Sequence, residues 1–387
     1  MSPYPGVVTS ADPAAPLDRL YTVIPAGGVG TRLWPLSRAN APKFLHDLTG
    51  SGTTLIRGTY ERLAPLTGER VMVVTGNSHR EAVRSQIPEL DDDDLILESD
   101  PKDSAAAIGL AAAILNERDP EIIMGSFAAD QVIAPVDVFQ EAVREAVATA
   151  AAGRIVTIGI TPTHPSTGFG YIRRGDPLRR SDGTTVPGAP SAHEVIEFVE
   201  KPGEAVAQEY VDSGDYLWNA GMFVAPVKLL LKHLAAAEPE LHAGLTEIAR
   251  AWGTEAQEEA TARVWPTLPK TAIDYAVAEP AADAGDVAVI PGRFTWDDVG
   301  DFAAIARLNP AEHQDEMTVL GDKARVYSDE SSGVVVSDTK RVVALIGVQD
   351  IVVVDTEDAL LVTTTDHAQS VKQAVEALKE KGDSDVL

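Results

Sequence analysis

Cysteine is absent from this 387-residue chain, which excludes disulfides, zinc–thiolate centres and thiol catalysis. Apolar runs are short, and none approaches the roughly 18 consecutive residues of a membrane span. Residues 1–20 lack the basic segment and the apolar core of a signal peptide, so they read as a disordered tail and the protein as cytoplasmic. Cations are also scarce. Lys and Arg total 32 against 59 Asp and Glu, a formal net charge of −27. Such a surface argues against nucleic acid and anionic membrane as partners. A phosphate-rich substrate would have to be held by local cations and a metal, because the overall field repels it.

Against that acidic background one segment stands out. An apolar stretch from Tyr21 to Ala26 breaks into Gly27-Gly28-Val29-Gly30-Thr31-Arg32-Leu33-Trp34-Pro35-Leu36-Ser37-Arg38, and Pro42-Lys43 follows. Three glycines in four positions let backbone approach a ligand closely, and successive N–H groups in such a loop form an anion-binding concavity. Arg32, Arg38 and Lys43 add three cations within a dozen residues. The spacing is not that of a Walker A loop. It is not a complete dinucleotide fingerprint either, because the third glycine position is Leu33. The ligand this suggests is a polyphosphate.

Through the first half, apolar runs alternate with helical patterns. Strands are expected at Val71–Thr75, Leu95–Glu98, Ile122–Met124 and Ile155–Ile160. Helices are expected from Ser78 to Ile87, from a cap at Ser104 to Arg118, and from Val138 to Ala151. That alternation predicts an α/β fold with a doubly wound, mostly parallel, Rossmann-like sheet, whose ligands sit at the carboxyl ends of the strands. Residues 161–300 read as strands and loops of a substrate-binding insertion. Beyond Thr318, closely spaced β-rich runs predict a small C-terminal β-solenoid or sandwich, closed by a helix from Asp366 to Lys379. Asp91–Asp94 reads as a solvated acidic loop.

The Gly-Gly-x-Gly-Thr-Arg-Leu-Trp-Pro-Leu-Ser-Arg segment with Pro42-Lys43 resembles the signature of the sugar-1-phosphate nucleotidyltransferases, and most closely their mannose-1-phosphate guanylyltransferase branch. The resemblance runs from Tyr21 to the C-terminus. It implies a nucleotidyltransferase domain over 21–310 and, over 318–387, a left-handed β-helix-like domain that mediates association into a homodimer; the chain ends too early for a phosphomannose isomerase domain. The implied reaction is transfer of GMP from GTP to mannose 1-phosphate with Mg²⁺, in the cytoplasm. Two alternatives stay open: another nucleoside triphosphate and hexose 1-phosphate pair, or a non-catalytic subunit that binds nucleotide sugar.

Site residues carry over position by position. Ala26, Gly27, Gly28, Gly30, Thr31, Arg32, Asp103 and Ser104 would bind the nucleotide, with Arg32 and Lys43 as catalytic cations. Asp130, in Ala129-Asp130, and Asp298, in Trp296-Asp297-Asp298-Val299-Gly300, occupy the metal-ligand positions; Asp297 is the weaker candidate. Hard divalent cations take such carboxylates together with phosphate oxygens and water. Gly170 of Gly168-Phe169-Gly170-Tyr171-Ile172, Glu200-Lys201-Pro202, Asn219 and Asp274 would bind the sugar phosphate, and Tyr171, Met222 and Phe223 read as wall residues. Two departures matter. Gln131 stands where relatives carry histidine, and Lys102-Asp103 stands where they carry Arg-Asn.

Overall fold

The computed structural model describes residues 16–310 and 317–387. The expected tail therefore lies mostly outside the described residues, although Leu17–Arg19 form a 3-10 turn leading into the first strand.

Eleven strands precede residue 310: β1 (Leu20–Ala26), β2 (Val71–Gly76), β3 (Leu95–Glu98), β4 (Ile123–Ser126), β5 (Val132–Ala134), β6 (Ile155–Ile160), β7 (Gly170–Pro177), β8 (His193–Val199), β9 (Tyr216–Pro226), β10 (Val287–Gly292) and β11 (Thr295–Asp297). Nine of them build one sheet in the order β3-β2-β1-β4-β9-β6-β10-β8-β7, and β5 pairs with β11 in a separate ribbon. Only β8 and β9 run against the rest, so the sheet is mostly parallel, as the alternation predicts.

Both faces of this sheet are covered, which is why its strands read as continuous apolar runs. Along β1, Val23 faces one core, and Ile24 faces the other. Helix α1 (Leu55–Thr67) covers the Ile24 face, and α2 (Arg80–Gln86) contributes Val83 to that core. The Val23 face carries α3 (Ser104–Arg118), buried on all sides. Its alanines follow from that position. A Cβ on Gly109 would lie 2.7 Å from Leu245, so only a slender helix fits there. Helix α4 (Val136–Ala151) returns to the Ile24 face.

The expectation of strands and loops over 161–300 needs correction. Helices α5 (Glu204–Ser213), α6 (Val227–Ala237), α7 (Pro239–Ala251), α8 (Gln257–Val264) and α9 (Glu279–Asp283) lie there, and α6 and α7 pack on α3. The acidic run is largely solvated, as expected: Asp91, Asp92 and Asp93 are exposed, and Asp94 pairs with Arg118 at 2.7 Å.

After α10 (Phe302–Leu308), the C-terminal strands are β12 (Met317–Gly321), β13 (Val326–Asp329), β14 (Gly333–Ser337), β15 (Val343–Ile346), β16 (Ile351–Asp355) and β17 (Leu360–Thr364), with α11 (Val371–Lys381) closing the chain. β12, β14 and β16 stack in parallel, β17 returns antiparallel, and β13 pairs in parallel with β15. Successive coils thus contribute to two separate ladders, which is β-helix architecture. Its apolar side does not wait for another copy. Val334, Val336, Val352 and Val354 join Leu33, Trp34, Phe302 and Ile305 in one core.

Candidate active site

Strand register explains why residues distant in sequence share one edge of the sheet. Phe127 and Ala129 donate to the carbonyls of Val23 and Pro25, which sets Asp130 beside the end of β1. Gly159 of β6 lies opposite Asn219, Asn219 opposite Gly170, and Tyr171 opposite Val199. Gly170, Asn219 and Glu200 therefore sit level with the carboxyl ends of the parallel strands.

Two groups of side chains form there. In the first, Lys43 Nζ lies 2.8 Å from Asp130 Oδ2 and donates to the Asp298 carbonyl at 2.6 Å. The loop allows this because Gly30, at φ +72°, has no side chain; a Cβ there would come within 3.1 Å of Lys43. Gly27 and Gly28 have open space where a Cβ would stand. Gly300 brings Arg32 Nη1 and the Asp298 carboxylate together, each within 3.5 Å of where its Cβ would be. Burial pushes the Asp298 carboxyl above its ordinary value; Lys43 opposes the shift, and Asp297 and Asp130 add to it. Among the described residues no cluster of three or more His, Cys, Asp or Glu could hold a metal ion by itself. The Asp130 carboxylate pairs with Lys43, and its charge adds to the upward shift of Asp298, so the two carboxylates are near enough to influence one another.

Asp297 belongs elsewhere. Its Oδ1 accepts from Val299 N at 2.8 Å and its Oδ2 pairs with Arg307 at 2.7 Å, which holds Val299 at φ +47°. Arg38 also departs from expectation. It turns to Asp358 at 2.6 and 2.7 Å and to Thr356, away from the loop's anion side. Gln131 is buried and donates to the Ala220 carbonyl at 2.7 Å, a structural bond.

The second group is Glu200, Lys201, Asn219 and Asp274. Asn219 donates to Asp274 at 2.7 Å, and Lys201 Nζ bonds Glu200 Oε1 at 2.6 Å. The other Glu200 oxygen is buried without a partner, and any Cβ on Gly170 would collide with it. Burial, then the Glu200 charge, pushes Asp274 up to about 6. Tyr171, Met222 and Phe223 are buried wall residues, as expected.

That shift has a testable sign. The folded state binds the Asp274 proton more tightly than the unfolded chain, so stability present near pH 4 is lost as pH rises through about 6. Asp274→Asn keeps an acceptor for Asn219 and removes the charge. It is expected to unfold at higher temperature than wild type at pH 8, by on the order of 2 kcal/mol, with little difference at pH 4. Equal behaviour at both values would refute the assignment.

At the start of α3, the expected cap at Ser104 is replaced. Asp103, at φ +72°, accepts from Ser104 N, while the Ser104 hydroxyl accepts from Ile273 N at 2.9 Å. Ser104 thus ties the start of α3 to the segment carrying Asp274. Lys102 is drawn to the Pro266 carbonyl at 2.9 Å. One residue in this region had no role in the sequence reading. Glu98 ends β3, two strands from Ala26, with Oε1 buried and unpartnered and its carboxyl pushed by burial to about 7. A strand-terminal Glu before Ser-Asp-Pro was the only sequence signal for it.

Residues 21–315 match the nucleotidyl transferase family, and residues 325–378 match the MannoseP isomerase/GMP-like beta-helix domain. The chain is 39% identical to the mannose-1-phosphate guanylyltransferase ManC of Salmonella typhimurium strain LT2, over 94% of this chain and 74% of that protein. Identity to a mannose-1-phosphate guanylyltransferase of Escherichia coli K12 is 36%, with the same coverage. A solved structure from Thermus thermophilus, described as a mannose-1-phosphate geranyltransferase, superposes with a TM-score of 0.80 at 32% identity, over 93% of this chain and 99% of its own. With its signature loop, its two sheet-edge side-chain groups and its β-helix, the chain belongs to the nucleotidyl transferase family, among the mannose-1-phosphate guanylyltransferases.

Proposed function

We propose that the chain transfers GMP from GTP to α-D-mannose 1-phosphate in a Mg²⁺-dependent reaction, releasing pyrophosphate. The observation that carries this reading is Lys43 lodged between Asp130 and Asp298, with Arg32 alongside. An oxygen of the sugar phosphate forms the new bond to the GTP α-phosphorus, and the bond to the β-phosphate oxygen breaks. The attacking oxygen is already anionic near neutral pH, so no general base is required. Alignment and charge stabilisation are what the site must supply.

Arg32 and Lys43 stabilise the transferring and leaving phosphates. Asp130 and Asp298 would hold Mg²⁺, which supplies charge neutralisation and in-line alignment when bound. Gly27, Gly28, Gly30 and Thr31 let backbone approach the triphosphate beyond Ala26, with Asp103 and Ser104 at the start of α3 bordering the nucleotide. Lys201 meets the acceptor phosphate as a point charge, beside Gly170. Glu200, Asn219 and Asp274 bond the sugar hydroxyls. The Glu98 carboxyl, when ionised, suits guanine, whose N1–H and exocyclic amine present two adjacent donors, whereas adenine presents one donor beside an acceptor at N1.

Pyrophosphate release measured with four nucleoside triphosphates and several hexose 1-phosphates tests the reading. GTP with mannose 1-phosphate should give the highest kcat/KM, and Mg²⁺ should be required. Preference for another pair would assign a different pyrophosphorylase, and no release with any pair would leave the nucleotide-sugar-binding subunit. The nucleotide substrate suits a cytoplasmic enzyme, and no described helix is long and apolar enough to cross a membrane.

A homodimer is part of this proposal. Val342, Ile346, Leu360 and Val362 are 57–71% exposed on the C-terminal domain, beside a groove lined by Leu345 and Val353. A twofold pairing would cover this apolar surface. A solution mass twice that of one chain is expected, and a monomer would overturn this part.

A further inference from the structure

The C-terminal domain is joined to the signature segment at three side chains, and one of them is a reacting cation. Trp34 Nε1 donates to the Val386 carbonyl at 2.6 Å. Arg38 forks onto Asp358, and that guanidinium holds the Asp358 carboxyl below its usual range. Arg32 Nη1 donates to Gln369 Oε1 at 3.1 Å. Gln369 sits on the 3-10 turn Thr365–Ser370 between β17 and α11, 337 residues from Arg32 in sequence.

The orientation of the Gln369 amide is fixed by its other end. Nε2 donates to Asp301 Oδ2. Asp301 is in turn held as the N-cap of α10, its Oδ1 accepting from Ala304 N at 2.9 Å. A primary amide has one donor end and one acceptor end. With Asp301 taking the donor, Oε1 is the atom left for Arg32. The side chain of Arg32 is exposed and has many rotamers, so a fixed acceptor removes most of the entropy of aiming it.

We propose that Gln369 is a positioning residue that aims Arg32 at the phosphates, so that the β-helix domain completes the active site of its own chain. A cut after Pro310 would remove Gln369 and expose Leu33, Trp34 and Phe302. This inference rests on the reading of Arg32 as a phosphate-binding cation.

The test uses the full chain with a double-mutant cycle. Gln369 is exposed, so Gln369→Ala should retain the wild-type unfolding temperature. It should lower kcat about tenfold, the scale of a misaimed catalytic group, with KM for mannose 1-phosphate unchanged. In an Arg32→Ala background it should add no further loss, because its effect passes through Arg32. Asp301→Asn provides a second route. Asn must keep its oxygen on Ala304 N, so its amide meets Gln369, turns that side chain over and removes the acceptor from Arg32; the same fall in kcat is expected. Gln349→Ala, on the same domain but bonded to Ser332 and Glu330, should leave kcat unchanged. Full activity of both Gln369→Ala and Asp301→Asn, or losses that multiply with that of Arg32→Ala, would overturn the proposal while leaving Arg32 catalytic. Wild-type activity of Arg32→Ala would instead remove the reading beneath it.

Discussion

Lys43→Ala is expected to lower turnover by at least about a hundredfold, the scale on which a lost preorganised charge acts in phosphoryl and acyl transfer. Its side chain is 13% exposed, and its ammonium lies 2.8 Å from Asp130 and donates to the carbonyl of Asp298. Neither nearby arginine can take that place. Arg38 is committed to Asp358, and Arg32 is bonded to Gln369. Lys43→Arg should not restore activity, because a forked guanidinium does not reproduce the point charge that meets both the Asp130 carboxylate and the Asp298 carbonyl. Pyrophosphate release in a single turnover, read beside thermal unfolding, measures both effects. A folded Lys43→Ala protein with wild-type turnover would remove Lys43 from the chemistry.

The two aspartates of the Trp-Asp-Asp-Val-Gly segment should respond in opposite directions. Asp298→Asn is expected to cost roughly two to three orders of magnitude in turnover, with loss of the Mg²⁺ response. The same change should raise the unfolding temperature at pH 8. Burial raises the folded-state value of this carboxyl, so the ionised form disfavours folding once pH exceeds it. Asp130→Asn should show a similar loss of turnover. Asp297→Asn should do the reverse, retaining most activity and losing about 1 kcal/mol, because it weakens the Arg307 pair and a backbone bond at a strained residue. If Asp297→Asn abolishes activity while Asp298→Asn leaves it intact, the assignment of the pair is inverted.

Much of this was decided by the linear sequence. The period and composition of Leu20–Ala26, Val71–Gly76, Leu95–Glu98 and Ile155–Ile160 mark strands buried on both faces, because such strands are apolar at nearly every position. Glycine at 28 and 30, both at positive φ, marks the loop, since residues with a side chain seldom adopt that backbone. The helices of 227–251 are legible too: Leu230, Leu231 and Leu234, then Leu241, Leu245 and Ile248, recur at helical spacing on one buried face.

Tertiary structure decided what spacing cannot encode. Asp297 and Asp298 are chemically identical in sequence; the fold pairs Asp297 with Arg307 and sets the Asp298 carboxylate beside Gly300, near Arg32. Arg32 and Arg38 are likewise alike until the C-terminal domain claims Arg38 with Asp358 and aims Arg32 with Gln369. Glu98 gains its unpaired oxygen from burial, which depends on what is folded against it. Local sequence fixes backbone form because the forces involved act between near neighbours. The role of a charged side chain depends on its partners, ten residues away for Asp297 and more than 300 for Arg32 and Arg38.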